Sequence, residues 1–308
     1  MKYFIARVDI IDAFLAFVGL VTSLMLLTAC NQRPPDKSMI DVQSPGATLY
    51  TTITGNLPNK RVLVAVHGGP GNSSDYMVSL EKLTSEDLTV VLYDQRGTGQ
   101  SGEPTDGYAL DRYVEDLEAV RVSTGADKID LLGHSWGGVV ALRYTAEYPE
   151  RVRSIILMGS GPPSFEDIAT AQANLSARII SLQEQDLIPQ EFHSQGEDLI
   201  HKILPAYFSD PNFEMPSELA NLSFNQEASA RTYSDTGEWD FADQLNNLQQ
   251  DVLFLWGEKD PFGIELAQAT MNALGSAEVR FVLLDNCGHY WHECPEAFFD
   301  AVSVFLGG

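Results

Sequence analysis

A serine flanked by glycines at the end of an apolar run is the first feature of this chain that could do chemistry. Ile129-Asp130-Leu131-Leu132 leads directly into Gly133-His134-Ser135-Trp136-Gly137-Gly138. In this G-x-S-x-G pattern a strand turns so sharply into a helix that the neighbouring side chains must vanish for the serine to project. A serine hydroxyl is a poor nucleophile near neutral pH, so it needs an imidazole to take its proton and a carboxylate to hold that imidazole. Both occur downstream: Gly257-Glu258-Lys259-Asp260-Pro261 follows the apolar run Val252 to Trp256, and Asn286-Cys287-Gly288-His289 follows Val279 to Leu284. Glu258 competes with Asp260 for the acid role and His292 with His289 for the base role. Asp260 is preferred because it ends a G-x-x-D turn, and His289 because Gly288 lets its loop turn toward the serine. Ser135, Asp260 and His289 are therefore the candidate catalytic residues.

Acyl transfer through a serine develops negative charge on an oxygen, which backbone N–H groups can stabilise by about 3 kcal/mol each. His67-Gly68-Gly69-Pro70-Gly71 follows the run Arg61 to Val66, in the position of an oxyanion loop, and the N–H groups of Gly69 and Trp136 are the expected donors. A glycine-rich turn without a catalytic part is the alternative. Asp94-Gln95-Arg96-Gly97-Thr98-Gly99-Gln100-Ser101 follows the run Leu88 to Tyr93. It lacks the glycine spacing of a dinucleotide fingerprint and reads as a rigid border of the site.

These loops need a scaffold that gathers them. Strands are expected at Arg61 to Val66, Leu88 to Tyr93, Ile129 to Leu132, Ser154 to Met158, Val252 to Trp256 and Val279 to Leu284, with helices at Asp111 to Ser123 and Trp136 to Tyr148. Apolar strands alternating with helical patterns predict an α/β fold, a mostly parallel sheet with helices on both faces. From Gly161 to about Leu245 the alternation stops and the sequence becomes rich in Gln, Glu, Ser and Leu at helical spacing, which reads as an inserted helical cap. The expected division is a leader at 1–29, a tether at 30–46, a first core part at 47–160, the cap at 161–245 and a second core part at 246–308.

The leader carries Lys2 and Arg7 before an uncharged run from Ala13 to Ala29, a secretory pattern. Leu27-Thr28-Ala29-Cys30 resembles the lipobox of bacterial lipoproteins, which implies cleavage before Cys30 and lipidation of its sulfur; an uncleaved helix is the alternative. The expected location is the bacterial cell envelope, on the periplasmic or extracellular face, with the membrane met through the lipid. Only Cys287 and Cys294 then remain. In an oxidising compartment they could close a small disulfide, although two free thiols, or metal ligands together with His289 and His292, are also open. The 308 residues carry 43 acidic and 19 basic side chains, a formal charge of −24. Phosphate backbones would be repelled, so no nucleic-acid partner is expected.

Taken together, HGGPG at 67–71, DQRGTGQS at 94–101, GHSWGG at 133–138, GEKDP at 257–261 and CGH at 287–289 resemble the proline iminopeptidase branch of the α/β hydrolases, from about Ala47 to the end. The resemblance implies an α/β-hydrolase fold, release of an N-terminal residue, often proline, from small peptides or aminoacyl amides, and no metal or organic cofactor. It also implies a cap whose glutamates bind the substrate's free amino group. Phe224-Asn225-Gln226-Glu227 makes Glu227 the candidate for that contact and spacing offers Glu197 as a second; exposed helix carboxylates are the plain alternative. Two other functions stay open: an esterase or amidase on small acyl substrates, and a catalytically silent binding lipoprotein.

Overall fold

In β3 (Arg61–Val66), β5 (Ile129–His134) and β7 (Asp251–Gly257) nearly every residue is buried, the pattern required when both faces of a parallel sheet are covered. The computed structural model describes residues 36–190 and 197–307, excluding the side chains of Glu197 and Asp198. The remaining strands are β1 (Lys37–Ser44), β2 (Ala47–Thr54), β4 (Leu88–Tyr93), β6 (Val152–Met158) and β8 (Val279–Leu284). They form one eight-stranded sheet in the order β1-β2-β4-β3-β5-β6-β7-β8. β1 and β2 pair antiparallel, as do β2 and β4, and all other pairs are parallel. The carboxyl ends of β3, β5, β7 and β8 therefore deliver their loops to one edge.

The helices, in chain order, are α1 (Leu110–Thr124), α2 (Trp136–Glu147), then between β6 and β7 α3 (Ile168–Glu184), α4 (Glu197–Ile203), α5 (Ser217–Ala220), α6 (Gln226–Thr236) and α7 (Ala242–Leu245), and finally α8 (Ile264–Ala273) and α9 (Pro295–Gly307). Alternate strand residues feed two cores. Val62, Val64, Leu131, Phe254 and Trp256 pack with Leu117, Val140 and Leu266 on one face. Leu63, Ala65, Leu132, Leu253 and Leu255 pack with Tyr76, Leu80, Phe298 and Val302 on the other. Each such side chain contributes about 1.5–3 kcal/mol by leaving water, and the helices are held by this burial more than by their own propensity. Asn225 caps α6, its Oδ1 accepting from the N–H groups of Glu227 and Ala228.

Of the tether expected at 30–46, residues 37–46 are corrected by the structure, and residues 30–35 lie outside the described residues. Lys37–Ser44 pairs along its length with Ala47–Thr54, turning through Pro45-Gly46 with Gly46 at φ 68°. The segment looks unstructured in sequence because β1 is an edge strand in which Val42 alone is buried, so no alternation marks it. The turn is fastened from below by Arg96, whose fork donates twice to Asp116 at 2.8 Å and also reaches Asp106, Gly107 O and Pro45 O. The leader and Cys30 lie outside the described residues. Among the described residues no helix is long and apolar enough to cross a membrane.

His292 belongs to the second core. Its ring stacks on Trp291 with centroids 4.9 Å apart, and its Nε2–H donates to Tyr76 O at 3.0 Å. Burial lowers its pKa from the ordinary 6.5 to about 4. The unfolded chain therefore takes up the proton first: stability is undiminished above about pH 6.5 and declines as pH falls toward 4, by on the order of 3 kcal/mol from this group. Urea unfolding between pH 7.5 and 4.5 is expected to show a shallower acid decline in His292→Gln than in wild type; equal slopes in the two proteins would refute this.

Candidate active site

The turn from β5 into α2 places Ser135 at φ 54° and ψ −121°, a conformation that a residue with a Cβ holds only when its surroundings force it. Here they do. Ser135 N–H donates to Met158 O at 3.1 Å, and its carbonyl accepts from Gly138 and Gly161, both at 2.9 Å. The glycines are needed for closeness: a Cβ on Gly137 would lie 2.0 Å from Val66 O, and one on Gly133 would lie 2.6 Å from Gly138 Cα. The result is a serine side chain thrust out at the sheet edge.

Asp260, three residues beyond β7, accepts at both oxygens, from Phe262 N–H at 3.0 Å and from His289 Nδ1 at 2.8 Å. Both side chains are almost fully buried. A carboxylate can only accept, so the proton sits on His289 Nδ1 and leaves Nε2 with its lone pair free, the state in which an imidazole can act as a base. The ring is boxed in by Phe262 and His134, each with centroids at 4.8 Å, and by Tyr207 at 5.6 Å. Among the described residues Ser135 Oγ has no hydrogen-bond partner; it and His289 are walls of one cavity. Such bonds are commonly long without substrate and tighten in the complex.

The N–H groups of Gly69, at φ 127°, and of Trp136, the first residue of α2, have no partner among the described residues, so both are available to a ligand oxygen. A buried relay fixes the loops around them. Gly68 N–H donates to Tyr76 Oη at 2.6 Å, Tyr76 Oη–H donates to His134 Nδ1 at 2.7 Å, and His134 Nε2–H donates to His289 O at 3.0 Å. Because the last acceptor is a carbonyl, His134 has one tautomer, and burial holds its pKa well below the ordinary value, keeping it neutral. His289 N–H donates to Tyr207 O at 2.7 Å. Glu293 accepts from Gly288 N–H at 2.7 Å and Ser209 N–H at 2.8 Å, and Cys287 is joined to Cys294 by a disulfide with Cα atoms 5.7 Å apart. The loop bearing His289 is thus tied down on three sides.

Two cavities meet at Ser135. One, about 70 Å³, is walled by Trp136, Val139, Ile168, Trp239, Phe262 and Leu266, apolar enough for a small hydrocarbon group. The other, about 230 Å³, is on the His289 side and includes Asn72, Ile200, Ile203, Tyr207, Phe224 and Tyr290. Of the residues singled out in the sequence, Ser135, Asp260, His289, Gly69 and Trp136 are brought together. Glu258 is not: it is turned to solvent beside Lys259 and accepts from Asn286 N–H. His292 donates to Tyr76 O on the far side of the loop. Glu227 is exposed in the first turn of α6 and lines neither cavity, where Ser229 and Tyr233 of the same helix stand. Glu197 opens α4, the helix of Ile200 and Ile203, and its side chain lies outside the described residues. Sequence reasoning missed Tyr76, Tyr207 and Glu293, whose contacts join residues far apart in the chain; His134 was visible only as the variable position of the elbow.

Known proteins resemble this chain over most of its length. Residues 61–293 match the model of the family described as alpha/beta hydrolase fold. A proline iminopeptidase of Saccharolobus solfataricus is 27% identical over 85% of this chain and 89% of its own length. Among solved structures, a proline iminopeptidase-related protein from Thermus thermophilus superposes with a TM-score of 0.70 at 24% identity, covering 88% of this chain and 98% of that one. An esterase from Exiguobacterium antarcticum superposes with a TM-score of 0.65 at 20% identity, covering 88% and 100%. An eight-stranded, mostly parallel sheet that delivers a nucleophile elbow, an acid loop and a histidine loop to one edge, with a family match over most of its length, belongs to the α/β-hydrolase fold family.

Proposed function

We propose that this chain is a serine hydrolase that works through an acyl-enzyme and releases an N-terminal residue, proline among the candidates, from small peptides or aminoacyl amides. The observation that carries the hydrolase reading is the 2.8 Å bond from His289 Nδ1 to Asp260, which leaves the lone pair of Nε2 uncommitted in a ring that lines the same cavity as Ser135. In the first step Nε2 takes the Ser135 hydroxyl proton as Oγ bonds to the substrate's carbonyl carbon. The carbonyl oxygen becomes an anion beside the Gly69 and Trp136 N–H groups, each contributing about 3 kcal/mol. When the intermediate collapses, His289 gives the proton to the leaving nitrogen and the acyl group stays on Ser135; water, deprotonated by the same Nε2, then frees the acid. The apolar cavity takes the side chain of the released residue.

Support for the aminopeptidase part comes from the relatives named proline iminopeptidase. In this reading Glu197, at the head of α4, meets the substrate ammonium, since a carboxylate near the acyl pocket fixes how many residues can enter. A second reading, an esterase or amidase on small acyl groups, is favoured by one observation: among the described residues neither cavity wall contains a carboxylate. The proposal extends to a lipid anchor at Cys30, supported by the uncharged run that precedes it.

Ser135→Ala is expected to abolish fluorophosphonate labelling and to lower kcat by at least about 10³-fold, and Asp260→Asn, which favours the wrong imidazole tautomer, by about 10⁴-fold. A folded Ser135→Ala protein that still labels would refute the assignment. Aminoacyl β-naphthylamides are expected to be cleaved, with Glu197→Ala raising KM about tenfold or more and the exposed Glu227→Ala leaving it within about twofold. Cleavage of p-nitrophenyl esters but of no aminoacyl amide would favour the esterase instead. Labelled palmitate supplied to producing cells is expected to enter the wild type and not Cys30→Ala; a wild-type protein that takes up none would remove the anchor.

A further inference from the structure

Gln95 touches neither cavity and is 1% exposed, yet every polar atom of its side chain is committed to the loops that carry the two free amides. Its Nε2 donates to His67 O at 2.6 Å, and its Oε1 accepts from Trp136 Nε1–H at 3.1 Å. A carbonyl only accepts and an indole N–H only donates, so the amide has one admissible orientation. The backbone repeats the attachment, Gln95 N–H donating to His67 Nε2 at 3.0 Å while His67 Nδ1–H donates to Gly68 O at 2.9 Å. His67 lies two residues before Gly69, and Trp136 carries the other amide. On the opposite side of the same loop, Gly68 N–H is held by Tyr76.

Gln95 is itself immobile. The neighbouring Asp94 accepts from Ser74 N–H, Ser74 Oγ–H and Gln100 N–H, all at 2.8 Å, and Thr98 Oγ–H donates to Gln95 O at 2.8 Å. We propose that Gln95 is a positioning residue: as a rigid strut between His67 and Trp136 it sets the separation of the Gly69 and Trp136 amides, and with it the stabilisation of the oxyanion. This inference rests on the hydrolase reading above. Amides aimed at the anion rather than at the ground-state carbonyl act on kcat and leave KM nearly unchanged.

The Gln95→Glu variant separates a strut from a mere filler of space. A protonated carboxyl reproduces the amide, with one O–H donor for His67 O and one C=O acceptor for Trp136, whereas in the ionised form the oxygen facing His67 O has no proton to donate and two acceptors oppose each other there. Relative to wild type, Gln95→Glu is expected to lose about 30-fold or more in kcat at about pH 8 with KM within about threefold, and to recover as pH is lowered through the carboxyl's ionisation. Dividing each rate by the wild-type rate at the same pH removes the pH dependence that the two proteins share. Gln95→Met, which fills the same space without either hydrogen bond, is expected to lower kcat about tenfold at saturating substrate with KM within about threefold, and it decides the matter if Gln95→Glu does not fold. A kcat within about threefold of wild type in every folded variant, or a Gln95→Glu loss that does not change with pH, overturns the inference. Wild-type protein that neither labels at Ser135 nor cleaves amide or ester overturns the hydrolase reading itself.

Discussion

A carboxylate that accepts the Nδ1 proton of an imidazole decides where the other lone pair goes, and much of this molecule is arranged around that bond. Asp260 and His289 are both nearly sealed from water, which makes their 2.8 Å contact strong and its loss costly, since a buried carboxylate left without a donor is worse than none. The bond can form only if the loops after β7 and β8 leave the sheet at the same level. The register does this: Gly257 lies beside Leu284 at the last pair of the two strands. Tyr207 O, Glu293 and the Cys287–Cys294 bridge then hold the histidine loop in place.

Three further histidines surround the site without titrating in it. His67, His134 and His292 are buried, and burial lowers the pKa of each. His67 and His134 each lie on a hydrogen-bond path between loops, a neutral ring with one fixed tautomer acting as a directional connector, a donor at one end and an acceptor at the other, whereas His292 only donates, to Tyr76 O. His134 joins the elbow to the histidine loop in this way, and His67 joins the oxyanion loop to Gln95. Their cost is acid sensitivity of the fold, and their benefit is that loops from distant parts of the sequence keep fixed separations.

How much of this was legible in the sequence depended on how local the signal was. The central strands announce themselves because both faces are buried, so their residues are largely apolar, and the loops with Ser135 and Asp260 follow directly from two of them, while the His289 loop follows β8, an edge strand whose Val, Phe and Leu residues mark it despite exposure. β1 and β2 were not legible. An edge strand with a single buried residue leaves no pattern, and the Pro45-Gly46 turn reads equally well as linker. Gln95 was noticed only as part of a loop bordering the site, because its importance lies in what it touches, 28 and 41 residues away. Glu227 is the opposite case: an acid in the first turn of a helix is favoured there by the backbone's partial positive charge, so its position alone does not point to a ligand.

The junction between the helical insertion and the oxyanion loop has a mechanical meaning. Ser73 N–H donates to Ser223 O, Asn225 N–H donates to Gly71 O, and Asn72 bridges Phe224, while Asn225 Nδ2–H reaches Gly97 O and its Oδ1 caps α6. A short two-stranded ladder therefore couples α6 to the backbone just past Gly69. A lever pivoted so close to Gly69 cannot swing without displacing it, so opening the insertion at this end would also move the backbone amide proposed to face the oxyanion.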